Sequence, residues 1–160
     1  MRRLLAVLTV VVLAAVASGL LLAQSNPTIG TWRLSLAKSK YNPGPPPKSQ
    51  TRTFEAQGDG VKVSVEGIAT DGSRVAYSYA PKYDGKDYAI TGSGRPGGSD
   101  TIAFKRIDAF TFEATLKKAG KVVVTNQLVV SKDGKVMTLN AKGTTASGQP
   151  VNDVVVFDRQ

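Results

Sequence analysis

Cysteine and histidine are both absent from the 160 residues. Without cysteine there is no disulfide, no thiolate nucleophile and no attachment point for a lipid after a leader. Without histidine as well, the commonest general base and the usual transition-metal ligands are gone. Other chemistry is equally thin. Asp84, Asp87 and Asp100 fall near turns, where Asp bonds the local backbone. Glu55, Glu66 and Glu113 fall in separate segments beside alternating apolar positions, as on a solvated face. The glycine-rich stretch Gly92–Gly98 precedes a strand-like segment, so it lacks the helix N-terminus of a phosphate cradle. It reads as a flexible loop. No catalytic residue, cofactor or metal ligand is assigned, and the chain is expected not to be an enzyme.

Acidic side chains are scarce too, 12 against 21 Lys and Arg, a formal charge of +9. The basic residues are scattered over turns and segment ends, with no dense run and no interleaved aromatics, so nucleic acid is not expected as a partner. A solvated basic surface with loose attraction to anionic envelope surfaces is the plainer meaning.

What is present begins with a leader. Arg2 and Arg3 precede an apolar run from Leu4 to Val16, and Ala23 stands before the polar Gln24-Ser25-Asn26-Pro27. This is the build of a signal peptide over residues 1–23, with the mature domain at 24–160. The competing reading is a retained membrane anchor, since Leu4 to Ala23 approaches the length of a span; Ser18 and Gly19 interrupt it. Removal would leave 19 basic against 12 acidic side chains, +7, and no transmembrane span. Export without disulfides suits a secreted or periplasmic protein.

Long helical periodicity is missing from the mature chain, and turn signals recur instead. They are Gly58-Asp59-Gly60, Asp71-Gly72, Asp84-Gly85, Gly92–Gly98, Asp108-Ala109, Ala119-Gly120, Asp133-Gly134 and Ser147-Gly148. Asp-Gly supplies the positive φ of tight hairpins. The segments between predict ten strands, at 30–36, 51–57, 61–69, 74–82, 86–91, 100–107, 110–117, 121–131, 135–143 and 150–158. Val61, Val63 and Val65 alternate with Lys62, Ser64 and Glu66, and Phe110, Phe112, Ala114 and Leu116 alternate with polar residues. That is the period of strands with one buried face. Short hairpins make the fold all-β, an antiparallel up-and-down meander, and closure into a barrel removes its two open edges.

Two details stay specific. Asn42-Pro43-Gly44-Pro45-Pro46-Pro47 cannot join a ladder, so this connector should lie over the surface or one mouth, anchored by Tyr41. At Asp133-Gly134, a two-residue loop sets Leu128 and Val130 opposite Leu139 and Met137. A three-residue loop sets Asn126 opposite Asn140. The apolar match favours the first.

Gly30-Thr31-Trp32 on the first segment, followed by the meander, resembles the lipocalin and fatty-acid-binding superfamily (the calycins). The opening through Ala37-Lys38-Ser39-Lys40 also resembles small secreted bacterial proteins. The resemblance implies a lipocalin-like barrel, with Trp32 plugging its closed end. It also implies a carboxylate clamp on the last strand, but Val155 and Phe157 stand there. On that ground acids should bind no better than matched alcohols or esters. The function expected is carriage of a small apolar or weakly polar ligand in the barrel interior, in contact with Tyr77, Tyr79, Phe110 and Phe112. The alternative is an interaction or structural module with a filled core, which the valine-rich strands favour.

Overall fold

The computed structural model describes residues 26–145 and 147–160; the leader assigned to 1–23 lies outside the described residues. Ten strands follow in order: β1 (Gly30–Leu34), β2 (Ser49–Gln57), β3 (Gly60–Ile68), β4 (Arg74–Tyr79), β5 (Asp84–Ser93), β6 (Thr101–Arg106), β7 (Thr111–Lys118), β8 (Lys121–Val130), β9 (Val136–Thr144) and β10 (Pro150–Arg159). Each pairs antiparallel with its sequence neighbours, and β1 pairs with β10, closing the barrel. No edge is left to recruit another chain. No helix among the described residues is long and apolar enough to cross a membrane.

Alternation sets which face is inside. On β3, Val61, Val63 and Val65 are buried while Lys62 and Glu66 are exposed; on β7, Phe112, Ala114 and Leu116 are buried. The β8–β9 hairpin takes the apolar register, with Leu128 opposite Leu139 and Val130 opposite Met137. Asn126 therefore faces Ala141 rather than Asn140. A one-residue slip would have turned all of these side chains out of the core.

One turn departs from the sequence reading. Asp84-Gly85, expected as a hairpin tip, instead opens β5, and the chain reverses over 80–83. Pro81 cannot donate to a ladder, so β4 stops at Tyr79. Gly85, at φ 72°, then sits in a register shift between Asp84 and Asp87. Asp84 Oδ1 accepts the Lys86 N–H at 3.0 Å there. A glycine in this left-handed conformation is the usual device for a bulge.

Strand polarity sorts the connections into two ends. The β2–β3, β4–β5, β6–β7 and β8–β9 turns share one end with the start of β1 and the finish of β10. The other end carries the β3–β4, β5–β6, β7–β8 and β9–β10 connections and the long β1–β2 connector. The first end is closed and the second holds the cavity.

Candidate functional site

Trp32, 0% exposed, plugs the closed end as expected. Its indole Nε1–H donates to the Thr28 carbonyl at 2.7 Å, and the Arg159 guanidinium lies 4.2 Å from its ring centroid. Arg159 also donates to the carbonyls of Ile29, Pro27 and Gly134, tying the end of β10 to the segment before β1 and to the β8–β9 turn. Gly30 explains the short G-x-W spacing physically. A Cβ there would stand 2.5 Å from Arg159 Nη1, at a φ of +132° that other residues rarely adopt.

Packed with the plug in one core are Phe54, Phe104, Phe112, Met137 and Phe157. Tyr79 stacks near Tyr77 and Phe104, with centroids 6.3 and 5.9 Å away, and Tyr83 bridges Phe104 and Phe112. Burial raises the Tyr79 hydroxyl pKa strongly, and nearby Arg52 opposes that rise. The four residues expected to contact a guest are thus placed as follows. Tyr77, Tyr79 and Phe112 are buried in the core, and Phe110 is half-buried at the closed end beside Pro27 and Gly134. None of the four lines the cavity at the open end.

That cavity has a volume of about 610 Å³. Val124, Leu139, Ala141 and Val155 form apolar wall, with Gln50, Arg52, Asn126 and Asp153 as polar points. The proline-rich connector lies over this mouth, as its composition predicts, with Tyr41 and Pro47 in the lining. It is pinned by the Asn152 N–H on the Asn42 carbonyl (2.7 Å), the Asn42 N–H on Asp153 Oδ1 (2.7 Å) and the Thr70 hydroxyl on the Pro46 carbonyl (2.8 Å). Pro96 and Gly97 of the glycine-rich loop complete the rim, giving that stretch a place in the site.

The electrostatics of the mouth follow from burial. Tyr41 is pushed up to about 12, first by desolvation and then by the Asp153 carboxylate, with Arg52 pulling the other way. Desolvation also raises Asp153, and the Asn42 N–H partly offsets it. Arg52 and Asn126, each 6% exposed, are buried polar groups that the sequence reading missed. Arg52 Nε donates to Gln50 Oε1 at 3.2 Å, and its guanidinium lies 5.2 Å from the Phe157 ring centroid. Asn126 Oδ1 has no hydrogen-bond partner among the described residues. Strand parity was the available signal. Gln50, Arg52 and Phe54 share a face, as do Asn126, Leu128 and Val130.

The cavity holds one carboxylate, Asp153, and no group of three or more metal-ligating side chains occurs among the described residues. No family model matches the chain, and no curated protein matches its sequence. Among solved structures, the chain is similar to a redesigned β-barrel, mFAP0, bound to DFHBI. That match has 13% identity and a TM-score of 0.43, and covers 83% of this chain and 99% of the other. A second redesigned β-barrel, mFAP1, also bound to DFHBI, matches at 13% identity and a TM-score of 0.42, covering 83% and 95%.

Proposed function

We propose that the mature domain is an exported, non-catalytic carrier of the calycin type, holding one small amphiphilic molecule in the mouth of its barrel. The observation that carries this reading is the cavity of about 610 Å³, within the roughly 300–1,000 Å³ span of small-molecule sites. A ten-strand barrel is wide enough that side chains fill only part of it. Here the packed aromatic residues fill the closed half, and the open half keeps its space. Apolar walls with a few converging polar groups suit a guest that has an apolar body and one polar end.

Decanol, uncharged, is the direct probe. Saturable binding by calorimetry, abolished when Ala141→Trp fills the wall, supports the carrier. A wild-type domain that takes up neither decanol nor decanoate contradicts it. The fully packed closed half favours the second reading, a surface-interaction module, and that reading then stands. Export belongs to the same proposal: the intact mass of protein recovered outside the cytoplasm should begin near Gln24. A full-length mass in washed membranes would instead mean a retained anchor.

A further inference from the structure

We infer that the guest's polar end is a protonated amine, seated over Ala141 between the Asp153 carboxylate and the Asn126 side-chain carbonyl. The inference rests on the carrier reading and deepens it by naming the guest's chemical class. Strand pairing puts the three residues in one row: Asn126 on β8 faces Ala141 on β9, and Ala141 faces Asp153 on β10. All three line the cavity. The row on the closed-end side is apolar, with Leu128, Leu139 and Val155, and the row on the open-end side is Val124, Gly143 and Val151. Polar groups thus enter this part of the wall at one level, with a methyl group between them. Neighbouring strands lie about 4.8 Å apart, so the two polar residues stand ~10 Å apart at the backbone. Side chains that point into a barrel converge on its axis, and the short Ala141 leaves room between them for a small donor group.

Both groups are acceptors with capacity to spare. Asn126, 6% exposed, is flanked by Ala114 and Ala141, and its Oδ1 has no hydrogen-bond partner among the described residues. A buried amide oxygen left in that state costs about 1–3 kcal/mol, which a bound donor offsets. Asp153 Oδ1 accepts the Asn42 N–H, and among the described residues Oδ2 accepts nothing. Asp59, Asp87, Asp158, Glu55 and Glu66 each pair with a lysine or arginine, whereas Asp153 belongs to none of these ion pairs. The chain carries 21 basic side chains, so this carboxylate is left without one amid plenty. Desolvation raises its pKa, and no cation figures among the causes. A carboxylate withdrawn from water favours a counter-charge, and a guest in this cavity is placed to bring it.

Arg52, the other charged group in the lining, sits at a different level. It stacks over Phe157, four residues beyond Asp153 on β10, which is ~13 Å of strand toward the closed end at about 3.3 Å per residue. Tyr41 belongs to the amine's level instead. Burial and then the Asp153 carboxylate raise its pKa, which puts the phenol beside that carboxylate. An aromatic ring next to a carboxylate suits a cation. An ammonium carries three donors and no acceptor, matching two acceptors that face one gap. A hydroxyl has one donor and no charge. With its head at this row, the guest runs its apolar body past Leu139 and Val155, so it enters apolar end first.

The test compares decylamine with decanol by calorimetry at neutral pH, where an alkyl amine is protonated, as Lys is below about 10.4. On the wild-type domain decylamine should bind at least about tenfold more tightly, since hydrogen bonds to charged groups exceed neutral ones by that much. Asp153→Asn, which keeps an acceptor for the Asn42 N–H, should bring the ratio close to unity. Asn126→Leu should lower it. Equal affinities on the wild type, tighter binding of decanoate than of decylamine, or a ratio that survives Asp153→Asn would each overturn the inference and leave the carrier standing. Binding of none of the three compounds removes the carrier reading as well. The wild-type ratio requires no variant, so it decides the matter even where a substitution fails to fold.

Discussion

Replacing Arg159 with methionine should remove the lock that joins β10 to the segment before β1 across the closed end of the barrel. The side chain makes three hydrogen bonds to main-chain carbonyls, those to Ile29 and Pro27 at 2.6 and 2.7 Å and a third to Gly134. It also covers the Trp32 ring at 4.2 Å. Hydrogen bonds from a charged donor contribute about 1.5–3 kcal/mol each, and a cation over an aromatic face about 0.5–2 kcal/mol. These terms do not add fully, because water reaches a half-buried guanidinium and methionine retains the apolar stem. The low ends total about 5 kcal/mol, which incomplete additivity brings to about 4 kcal/mol, against the ~5–15 kcal/mol total of an ordinary domain. At about 4 °C per kcal/mol for a domain of this size, Tm should fall by about 15 °C. Arg159→Lys keeps a cation near the ring but loses the fork, so it should forfeit about half as much. Urea titration followed by far-UV circular dichroism reads both variants. An Arg159→Met domain within 1 kcal/mol of wild type, with an unchanged slope, would refute the lock.

Asn126→Leu removes a buried amide whose Oδ1 is unpartnered, so it should stabilise the domain by about 1–2 kcal/mol; a loss in urea titration would contradict this. Ala119 holds φ 48° in the β7–β8 turn, and Ala119→Gly should gain about 0.5–1 kcal/mol by relieving left-handed strain, again read in urea. Phe112→Ala, in the packed core at 0% exposure, should cost about 3–5 kcal/mol, and a cost below 1 kcal/mol would mean the closed half is not packed as described. Burial raises the Asp153 pKa, so the folded state holds its proton more tightly than the unfolded chain does. Its ionisation therefore works against folding as pH rises above 3.8 through the folded value. Asp153→Asn, which keeps an acceptor for the Asn42 N–H, should be more stable than wild type at neutral pH, with the gap closing toward pH 3.8. A gap that widens on acidification would contradict it.

Much of the fold was legible because hairpins are local. Each turn residue lies within a few positions of the strands it joins, so the strand count and the β8–β9 register could be read from alternation alone. Asp84-Gly85 misled because the same left-handed preference serves a turn or a bulge, and Pro81 decides between them. The site was less legible because it forms only on closure. Arg159 meets Gly30 and Trp32 across nearly the whole chain, and one arginine among 21 basic side chains carries no mark of burial. Arg52 could have been found from pairing. The Gly58-Asp59 turn pairs Gln57 with Gly60, which sets Arg52 opposite the inward Val65 and on the same face as Phe54. Tyr77, Tyr79 and Phe112 do face inward, but inward-facing and cavity-lining are different properties. Which half of the barrel stays open depends on the sum of side-chain volumes at each level, and no strand records that alone.

The carrier account is tested most directly by an amide NMR titration of the mature domain with decanol. The account predicts saturable shifts at Asn126, Leu139, Ala141 and Val155, with the buried Trp32 indole N–H unmoved at the far end. No saturable shift, or shifts centred on the outer face at Thr125, Gln127 and Asn140, would contradict it.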